Sequence, residues 1–412
     1  MTRRGVLRSS VLLLGLVVPS SVRAQGPATA PSAPTLHEVL EIAWRRNPDI
    51  LEARLRVDSA HGEHSIARAL PNPSFTGIPG TPYQYGVSLP IDLNPGRLYR
   101  TRAARQGEAM TELARVDIVR QVTFNVQQGF YDLLLANADR QIVSEELDIF
   151  RQVLVADSVR LRAGDLPQRD LVKSELEVAR AEAALARADV TARSARLVLQ
   201  ARMGESNPDT AFTVSGVLDS SPRLTMPTDS LLPLAFVTRQ DLASAREQVS
   251  QSRSLKSLAL ANLVPVPVVS LIYQNTPFQS GLRYAFGVTL PVPLFYWNGG
   301  ERRRANAGLE SAEVSEQRTR VQVESEVAVA LGNFQSARVL AERYASGLLA
   351  KSALALQSSR FAYEQGAASF IELLDAIRTW GDTRSEYYGA VHDYWVAAYA
   401  LSRATGADVV QE

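Results

Sequence analysis

The sequence predicts a mainly α-helical protein with a small β part, built as two tandem repeats of helix, strand, strand, long helix and helix. Two observations carry this prediction. An alternating octapeptide, YQYGVSLP at Tyr83 to Pro90, returns 201 residues later as YAFGVTLP at Tyr284 to Pro291. Each copy precedes a long stretch without proline, 63 residues from Thr101 to Ala163 and 65 residues from Glu301 to Gln365. Self-similarity at a fixed distance indicates one structural unit used twice.

The first 24 residues have the features of a secretory signal peptide. A basic head precedes the apolar run Val11 to Val18, and Val22-Arg23-Ala24 forms a small-residue cleavage site. Residues 25–34 then form a flexible spacer rich in Pro, Ala, Ser and Thr. No apolar run reaches the roughly 18 residues that a membrane-spanning helix needs. If the mature chain crosses a membrane, it must therefore do so as a closed β-barrel.

Composition excludes several classes of function. With 44 basic and 43 acidic side chains, the chain has no net field that favours nucleic acid. It has no cysteine, so we expect neither a disulfide nor an N-terminal lipid. The pair His61 and His64 has a spacing that can hold a metal, but no third ligand accompanies it. We find no catalytic constellation and predict no enzymatic activity, no cofactor and no metal site.

The first structural repeat is predicted at residues 35–204. Thr35 and Glu38 form a capping box at the start of a helix, and Asn47-Pro48 interrupts that helix. A second helical segment, Asp49 to Leu70, ends at a Pro-Asn-Pro sequence. A strand of about six residues from Ser74 and a turn at Ile78 to Pro82 follow, before the alternating strand.

The alternating strands are predicted to carry one apolar face each. With their neighbours they reach about 10 residues, the length with which a tilted strand crosses a bilayer. A half-buried strand of a soluble protein would show the same alternation, but two copies ahead of very long helices favour a membrane wall. The residues predicted to face lipid are Tyr83, Tyr85, Val87, Leu89, Tyr284, Phe286, Val288 and Leu290.

The long helix of the first repeat is far longer than an ordinary globular helix. At about 1.5 Å per residue, 63 residues extend roughly 95 Å. The chain turns at Gly164 to Pro167 and returns as a helix from Gln168 to Met203, whose alternating charges are typical of an exposed coiled coil.

The second half repeats this order. A linker at residues 205–228 leads to the second repeat, residues 229–406, and a tail, residues 407–412. Helix is predicted over Asp229 to Leu263, and strands over Val268 to Gln274 and Gly281 to Pro291. The proline-free helix, a turn at Gly366 and a helix from Ser369 to about Ala404 follow. Gly366 lies 202 residues after Gly164, so one residue has been inserted along the way.

Two strands in each repeat give four in each chain, which cannot close a membrane barrel. Outer-membrane barrels begin at eight strands. The chain must therefore pool its strands with further copies of itself.

Several segments resemble the outer-membrane factor family, the TolC-type channels of bacterial export pumps. They are LHEVLEIAWRRNPDILEAR, GVSLPIDL, GVTLPVPLFYWNGGERRRAN and the turn sequences LRAG…RDL and YEQG…IELLDA. The resemblance implies a homotrimer with a twelve-stranded barrel in the outer-membrane lipid of a Gram-negative-type bacterium and a twelve-helix tunnel through the periplasm. It also implies a passive exit duct that works with a periplasmic adaptor and an inner-membrane pump.

The resemblance assigns roles to the two turns. Asp170, Glu372 and Asp375 match the family's acidic constriction, although carboxylates at a helix start are also favoured by the helix dipole. Ala367 and Ala368 stand where some members carry an arginine that helps to close the aperture. The tips would receive the adaptor; they are Ala163, Gly164, Asp165 and Leu166 in the first repeat and Gln365, Gly366, Ala367 and Ala368 in the second.

A second hypothesis is a periplasmic coiled-coil scaffold or adaptor without a pore. It has no need of two apolar-faced strands at matching positions, and this feature favours the duct. Family members export drugs, metal cations or proteins according to the partner pump, and the sequence favours none of these cargoes.

Overall fold

A computed structural model describes residues 33–80, 83–92, 94–218, 222–275 and 283–411. The predicted signal peptide, most of the spacer and the first two residues of the predicted Gly281 to Pro291 strand lie outside these ranges. The elements of the first half are α1 (Leu36–Arg46), α2 (Pro48–Arg68), β1 (Ser74–Ile78), β2 (Tyr83–Pro90), α3 (Gly96–Ala163) and α4 (Gln168–Met203). Those of the second half are β3 (Arg223–Leu224), α5 (Leu231–Thr238), α6 (Gln240–Ala261), β4 (Val268–Asn275), β5 (Tyr284–Thr289), α7 (Gly299–Arg343), α8 (Leu349–Glu364), α9 (Phe370–Thr405) and β6 (Val410–Gln411). The predicted fold class, with helix, strand, strand, long helix and helix in each half, is confirmed.

At the predicted interruption, Asn47 caps two helices: it follows the last residue of one and precedes the first residue of the next. The Thr35 N–H donates to Glu38 Oε2 over 2.7 Å, which completes the capping box that starts α1. Asn47 ends α1, and its Oδ1 accepts from the Asp49 N–H over 2.9 Å to start α2, with Pro48 at the first helical position. Its amide also donates to the Arg202 carbonyl over 2.8 Å, which joins this corner to the end of α4.

Four strands form one antiparallel sheet in the order β1-β2-β4-β5. Its register aligns Phe75, Val87, Leu271 and Phe286 across the strands, all on one face. The neighbouring row, on the opposite face, is Ser74, Ser88, Ser270 and Gly287. The first row is therefore apolar and the second is small and polar, and the opposite face as a whole is mixed, because it also carries Ile272 and Val268. At one end of the sheet all four strands connect to helices.

The second long helix is not continuous, which corrects the prediction of one helix over Glu301 to Gln365. A π-helical turn at Tyr344–Leu348 separates α7 from α8, and Gly347 there has φ 132°. The buried residues Val323 and Phe334 of α7 still lie 201 positions after their buried counterparts Val122 and Leu133. The extra residue of the second repeat therefore falls between Phe334 and Gly366, in the span that contains the non-helical Gly347.

In the described part of the chain, two hydrophobic clusters hold the helices together. The larger surrounds Trp395, Phe334 and Leu133, where α9 packs against α3 and α7 and where α1 and α5 close the ends. The smaller, formed by Leu147, Phe150, Leu373 and Ile377 with their neighbours, joins the lower part of α3 to α8 and α9. The predicted linker and tail also pair, because β3 and β6 form a two-stranded antiparallel sheet.

Candidate functional site

Both predicted tips are tight glycine turns at the surface. Gly164 ends α3 with φ 85°, and the Asp165 N–H donates to the Arg160 carbonyl over 2.9 Å. Gly366 has φ 72°, and the Ala367 N–H donates to the Ala362 carbonyl over 2.8 Å. These positive φ values favour glycine. Of the eight predicted tip residues, Leu166 and Ala368 are half-buried, and the other six are exposed: Ala163, Gly164, Asp165, Gln365, Gly366 and Ala367.

The three predicted aperture carboxylates occupy different environments in a single chain. Asp170 accepts from Lys173 Nζ over 2.8 Å, and this contact lowers the pKa of its carboxyl. Glu372 is exposed, and its Oε2 accepts from the Ser369 N–H over 2.9 Å in a capping box that starts α9. Asp375 is exposed and forms no ion pair with another described residue. Glu372 therefore caps the start of α9, and its carboxylate remains exposed to solvent.

Sequence reasoning missed a buried polar cluster just above the tips. Asp157 of α3 is 1% exposed. The Tyr363 hydroxyl of α8 donates to its Oδ1 over 2.5 Å, and the Ser174 hydroxyl of α4 donates to its Oδ2. Burial and the neighbouring Asp157 raise the pKa of Tyr363. The cluster joins three helices, and its signal in the sequence is an acidic residue in step with the apolar positions Phe150 and Val153.

An arginine joins the two hairpins beside this cluster. Arg160 Nη2 donates to the carbonyls of Tyr363 and Glu364 over 2.8 and 2.6 Å, and its guanidinium lies 5.0 Å from the centre of the Tyr363 ring. The ends of α3 and α8 therefore lie side by side. The two predicted docking tips are brought together within one chain.

A second carboxylate lies between α3 and α9. Burial, and then Asp382, raise the pKa of Glu146 to about 7, against the attraction of two arginines. Its Oε1 fills the space that a side chain on Gly381 would need, because a Cβ built there would lie 1.6 Å from this atom. Gly381 therefore makes room for Glu146 in the contact between the two helices.

The predicted lipid-facing residues lie on one side of the sheet. Tyr83, Tyr85, Val87 and Leu89 alternate with half-buried residues along β2. In the second copy Tyr284, Phe286, Val288 and Leu290 are exposed, with Leu290 directly after the end of β5. Their cross-strand partners on β4, Tyr273, Leu271 and Val269, are also apolar. The apolar row thus continues across strands that are distant in sequence.

The predicted histidine pair is engaged by a carboxylate from another helix. Glu108 of α3 contacts Nδ1 of His61 over 3.0 Å and Nδ1 of His64 over 2.6 Å. Within the described ranges, no group of three or more His, Cys, Asp or Glu side chains is arranged to hold a metal ion. None of the helices described is both long and apolar enough to cross a membrane.

Comparison with known proteins gives a family match over both repeats. The model of the family described as "Outer membrane efflux protein" matches residues 39–205 and 231–407. These two ranges coincide with the helix–strand–strand–helix–helix units of the fold.

Two curated relatives and one solved structure illustrate the similarity. The cobalt-zinc-cadmium resistance protein CzcC of Cupriavidus metallidurans is 25% identical over 386 residues, which cover 92% of each chain. The probable outer membrane lipoprotein SilC of Salmonella typhimurium is 22% identical over 409 residues, covering 92% of this chain and 87% of SilC. The crystal structure of the outer membrane protein VceC from Vibrio cholerae superposes with a TM-score of 0.75 at 19% identity, covering 90% of this chain and 96% of VceC. This last likeness concerns the fold.

Proposed function

Because this chain belongs to the outer membrane efflux protein family, we propose that three copies of it form one continuous exit duct. The chain is an outer-membrane efflux channel. Members of the family are trimeric channels that work with periplasmic adaptors and inner-membrane pumps. The duct itself is passive, and the energy for export comes from the pump. The observation that carries this proposal is the sheet, which has an exposed apolar face and two free edges.

The free edges explain why one chain is not enough. Within the described part of the chain, β1 and β5 each pair on one side only, so the sheet offers an unpaired edge at both ends. Exposed edges recruit further strands. Pairing β5 of one copy with β1 of the next in a ring of three gives a closed barrel of twelve strands. The apolar face then meets lipid, and the row of Ser74, Ser88, Ser270 and Gly287 lines the lumen. A scaffold in water would leave the apolar face exposed.

The helices provide the periplasmic part of the duct. α3 has 68 residues, which is about 100 Å at 1.5 Å per residue. All four strands join helices at the same end of the sheet, so the helices extend the barrel on one side of the membrane.

The aperture lies at the far end of these helices. Glu372 and Asp375, repeated by the threefold symmetry, form rings of negative charge at the start of α9, and Asp170 adds a carboxylate at the start of α4. Rings of acidic side chains favour cations in a narrow pore. We assign the narrowest, cation-selective part of the duct to this level.

Metal cations are the cargo class that we propose. The name of the relative CzcC concerns resistance to cobalt, zinc and cadmium, and this relative covers nearly the whole chain. Acidic rings at the aperture suit the passage of divalent cations. A strain that lacks the channel gene should become sensitive to these metals, and expression of the chain should restore resistance.

We propose that the mature chain is held in the membrane by its barrel and carries no N-terminal lipid. The relative SilC is described as a probable outer membrane lipoprotein, but this sequence contains no cysteine to carry an N-terminal lipid. Mass spectrometry of the mature N-terminus should show an unmodified chain.

The experiment that tests the duct is planar-bilayer conductance of the purified mature protein. Wild type is compared with Glu372→Gln plus Asp375→Asn, which removes both charges while the new amide at position 372 can still accept from the Ser369 N–H. We expect cation-selective channels from wild type and a clear loss of selectivity in the variant. Glu310→Gln plus Glu313→Gln, two charges removed from α7 far from the tips, serves as the control and should leave selectivity unchanged.

The aperture assignment and the duct can be refuted by different outcomes of this experiment. Unchanged selectivity in the aperture variant would keep the duct and refute the aperture assignment. Failure of folded wild-type protein to insert into lipid would refute the duct and favour a scaffold.

A further inference from the structure

The segment that joins β5 to α7 exposes an unusual amount of apolar surface. Leu294 is 70% exposed, Phe295 99%, Tyr296 55% and Trp297 64%. Monomeric proteins rarely leave contiguous apolar patches in water without a partner for them. The Tyr296 hydroxyl donates to a Glu301 carboxylate oxygen, so the segment is tied to the start of α7.

The first repeat lacks this surface. Between its strand and its helix it reads Leu93-Asn94-Pro95-Gly96, whereas the second repeat reads Leu294-Phe295-Tyr296-Trp297-Asn298-Gly299-Gly300. The two asparagines stand just before the start of their long helices, and both donate side-chain hydrogen bonds to the segment after α6. Asn94 bonds the Val264 carbonyl over 2.6 Å, and Asn298 bonds the Asn262 carbonyl over 3.0 Å. Between the leucine and the asparagine the second repeat has three residues where the first has none, and all three are aromatic. No net insertion results, because α7 begins later relative to the repeat than α3 and the 201-residue spacing still holds at Val323.

The position of the aromatic residues follows from the sheet. Thr289, the last residue of β5, pairs with Val268, the first residue of β4, at the end of the sheet where the helices begin. In the proposed duct this is the periplasmic edge of the barrel. The exposed row of Phe286, Val288 and Leu290 runs directly into the aromatic segment, so the segment continues the lipid-facing surface. Aromatic side chains prefer this boundary between apolar chains and water.

Three arginines follow at the start of α7. Arg302, Arg303 and Arg304 are exposed, and within the described part of the chain neither Arg302 nor Arg303 forms an ion pair. Successive helix positions point about 100° apart, so three in a row cover more than half of the helix surface. They lie about 6 Å along the helix from its start at Gly299. This distance is comparable to the thickness of the headgroup layer, about 5–7 Å.

We propose that residues 292–304 form an interfacial anchor that binds anionic glycerophospholipids of the periplasmic leaflet, one anchor for each protomer. Phe295, Tyr296 and Trp297 lie at the boundary between acyl chains and headgroups. The arginines bind the lipid phosphates, whose charge complements theirs. The anchor fixes the depth of the barrel in the membrane, and only the second repeat provides it. The proposal rests on the proposed outer-membrane duct.

Fluorescence of Trp297 tests the aromatic part. The full-length mature trimer is placed in phosphatidylcholine vesicles whose acyl chains carry bromine either near the headgroup or near the bilayer centre. The difference between wild type and Trp297→Phe gives the signal of Trp297, free of Trp44, Trp380 and Trp395. We expect strong quenching by the shallow bromines and weaker quenching by the deep ones. The absence of any quenching would overturn the anchor.

A neighbouring protomer, rather than lipid, could instead cover the exposed aromatic side chains of this segment. Phe295→Ser plus Trp297→Ser is therefore compared with Phe361→Ser, which removes an exposed aromatic from α8 outside the anchor. The proposal expects the double variant to remain a trimer and to insert into vesicles more slowly. Dissociation of the trimer by the double variant, together with an unquenched Trp297, would assign the segment to the subunit interface instead.

The arginines are tested with phosphatidylglycerol as the anionic probe. Wild type should bind more tightly to vesicles in which about a third of the phosphatidylcholine is replaced by phosphatidylglycerol, with roughly a fivefold effect on vesicle affinity for each arginine in contact. Replacement of Arg302, Arg303 and Arg304 by Gln should remove this preference. Equal preference in the variant would refute phosphate binding. Wild-type conductance in the same membranes distinguishes these outcomes from failure of the duct, since a channel that conducts without lipid contact at Trp297 refutes the anchor alone.

Discussion

Asp157 is a single buried residue that joins three helices, although its place in the sequence gives little indication of this role. It is buried, and its two oxygens accept from Tyr363 and Ser174, hydroxyl groups on different helices. A buried carboxylate is stable only if such donors compensate for the water that it has lost. The cluster therefore fixes how α3, α4 and α8 meet above the tips.

Tyr363→Phe removes one of these donors without changing the shape of the ring. We expect a loss of about 1–3 kcal/mol of stability, because a buried carboxylate oxygen loses its partner. Thermal unfolding of the purified trimer would measure it. Tyr344→Phe removes an exposed hydroxyl that donates to Glu386 over 2.9 Å and should change the melting temperature little. Equal effects of the two changes would contradict the role of the buried cluster.

Glu146 makes stability depend on pH. Its pKa in the folded protein is about 7, above the ordinary value of 4.5, so the folded state binds this proton more tightly than the unfolded state. The resulting stability is complete below pH 4.5 and is lost as the pH rises through 7.

Glu146→Gln stays neutral at every pH and should avoid this loss. We expect the free energy of unfolding of the variant to exceed that of wild type by about 1–2 kcal/mol at pH 8, after allowance for the exposed part of the side chain. The difference should disappear near pH 4, below the ordinary pKa of the carboxyl. Melting temperatures at both pH values would measure it, with Glu182→Gln on α4 as an exposed control. A variant that is less stable than wild type at pH 8 would mean that the charged form is favoured.

At the scale of elements, the turns were predictable and the π turn was not. Gly164 and Gly366 follow long proline-free stretches, and a left-handed glycine is a common way for a helix to end. The count of residues indicated one insertion in the second repeat, but not its location. The structure shows the helix broken at Tyr344–Leu348, within the span where the spacing between the repeats changes from 201 to 202.

Gly164→Trp tests whether the first tip receives an adaptor. Apart from its own chain neighbours, no described atom lies within 4 Å of a Cβ at this position, so the trimer should still form, while the bulky ring should abolish export. Gly164→Ala is the matched control, because it carries the same cost of a positive φ without the bulk. Metal resistance in cells would measure export. Wild-type resistance in the Gly164→Trp strain would remove the docking role from this turn.

At the scale of the whole molecule, strands from both repeats share one surface. Phe75, Val87, Leu271 and Phe286 lie on one face because the pairing of β2 with β4 joins the two halves in the correct register. A shift of one residue would reverse the faces of one half.

Val87→Lys and Ser88→Lys place the same charge on opposite faces of β2. Lysine at position 87 should prevent insertion into lipid vesicles, because it costs about 2–4 kcal/mol near the bilayer centre. Lysine at position 88 lies on the opposite face, which the proposed duct turns towards the lumen, and should be tolerated. Insertion measured by protection from added protease would compare them. Equal insertion of the two variants would contradict the assignment of the apolar face to lipid.

The sequence by itself determined the repeat, the helix and strand order, the glycine turns and the alternation of the strands, because these depend on local periodicity and on residues that start or end elements. Only the tertiary structure decided which strands pair, where the inserted residue lies and which distant polar groups meet. Tyr363 and Asp157 are in contact although they are 206 positions apart in the sequence, and Glu108 and His64 are in contact although they are 44 positions apart. Contacts of this kind have no local signal, because they arise only when packing brings separate helices together.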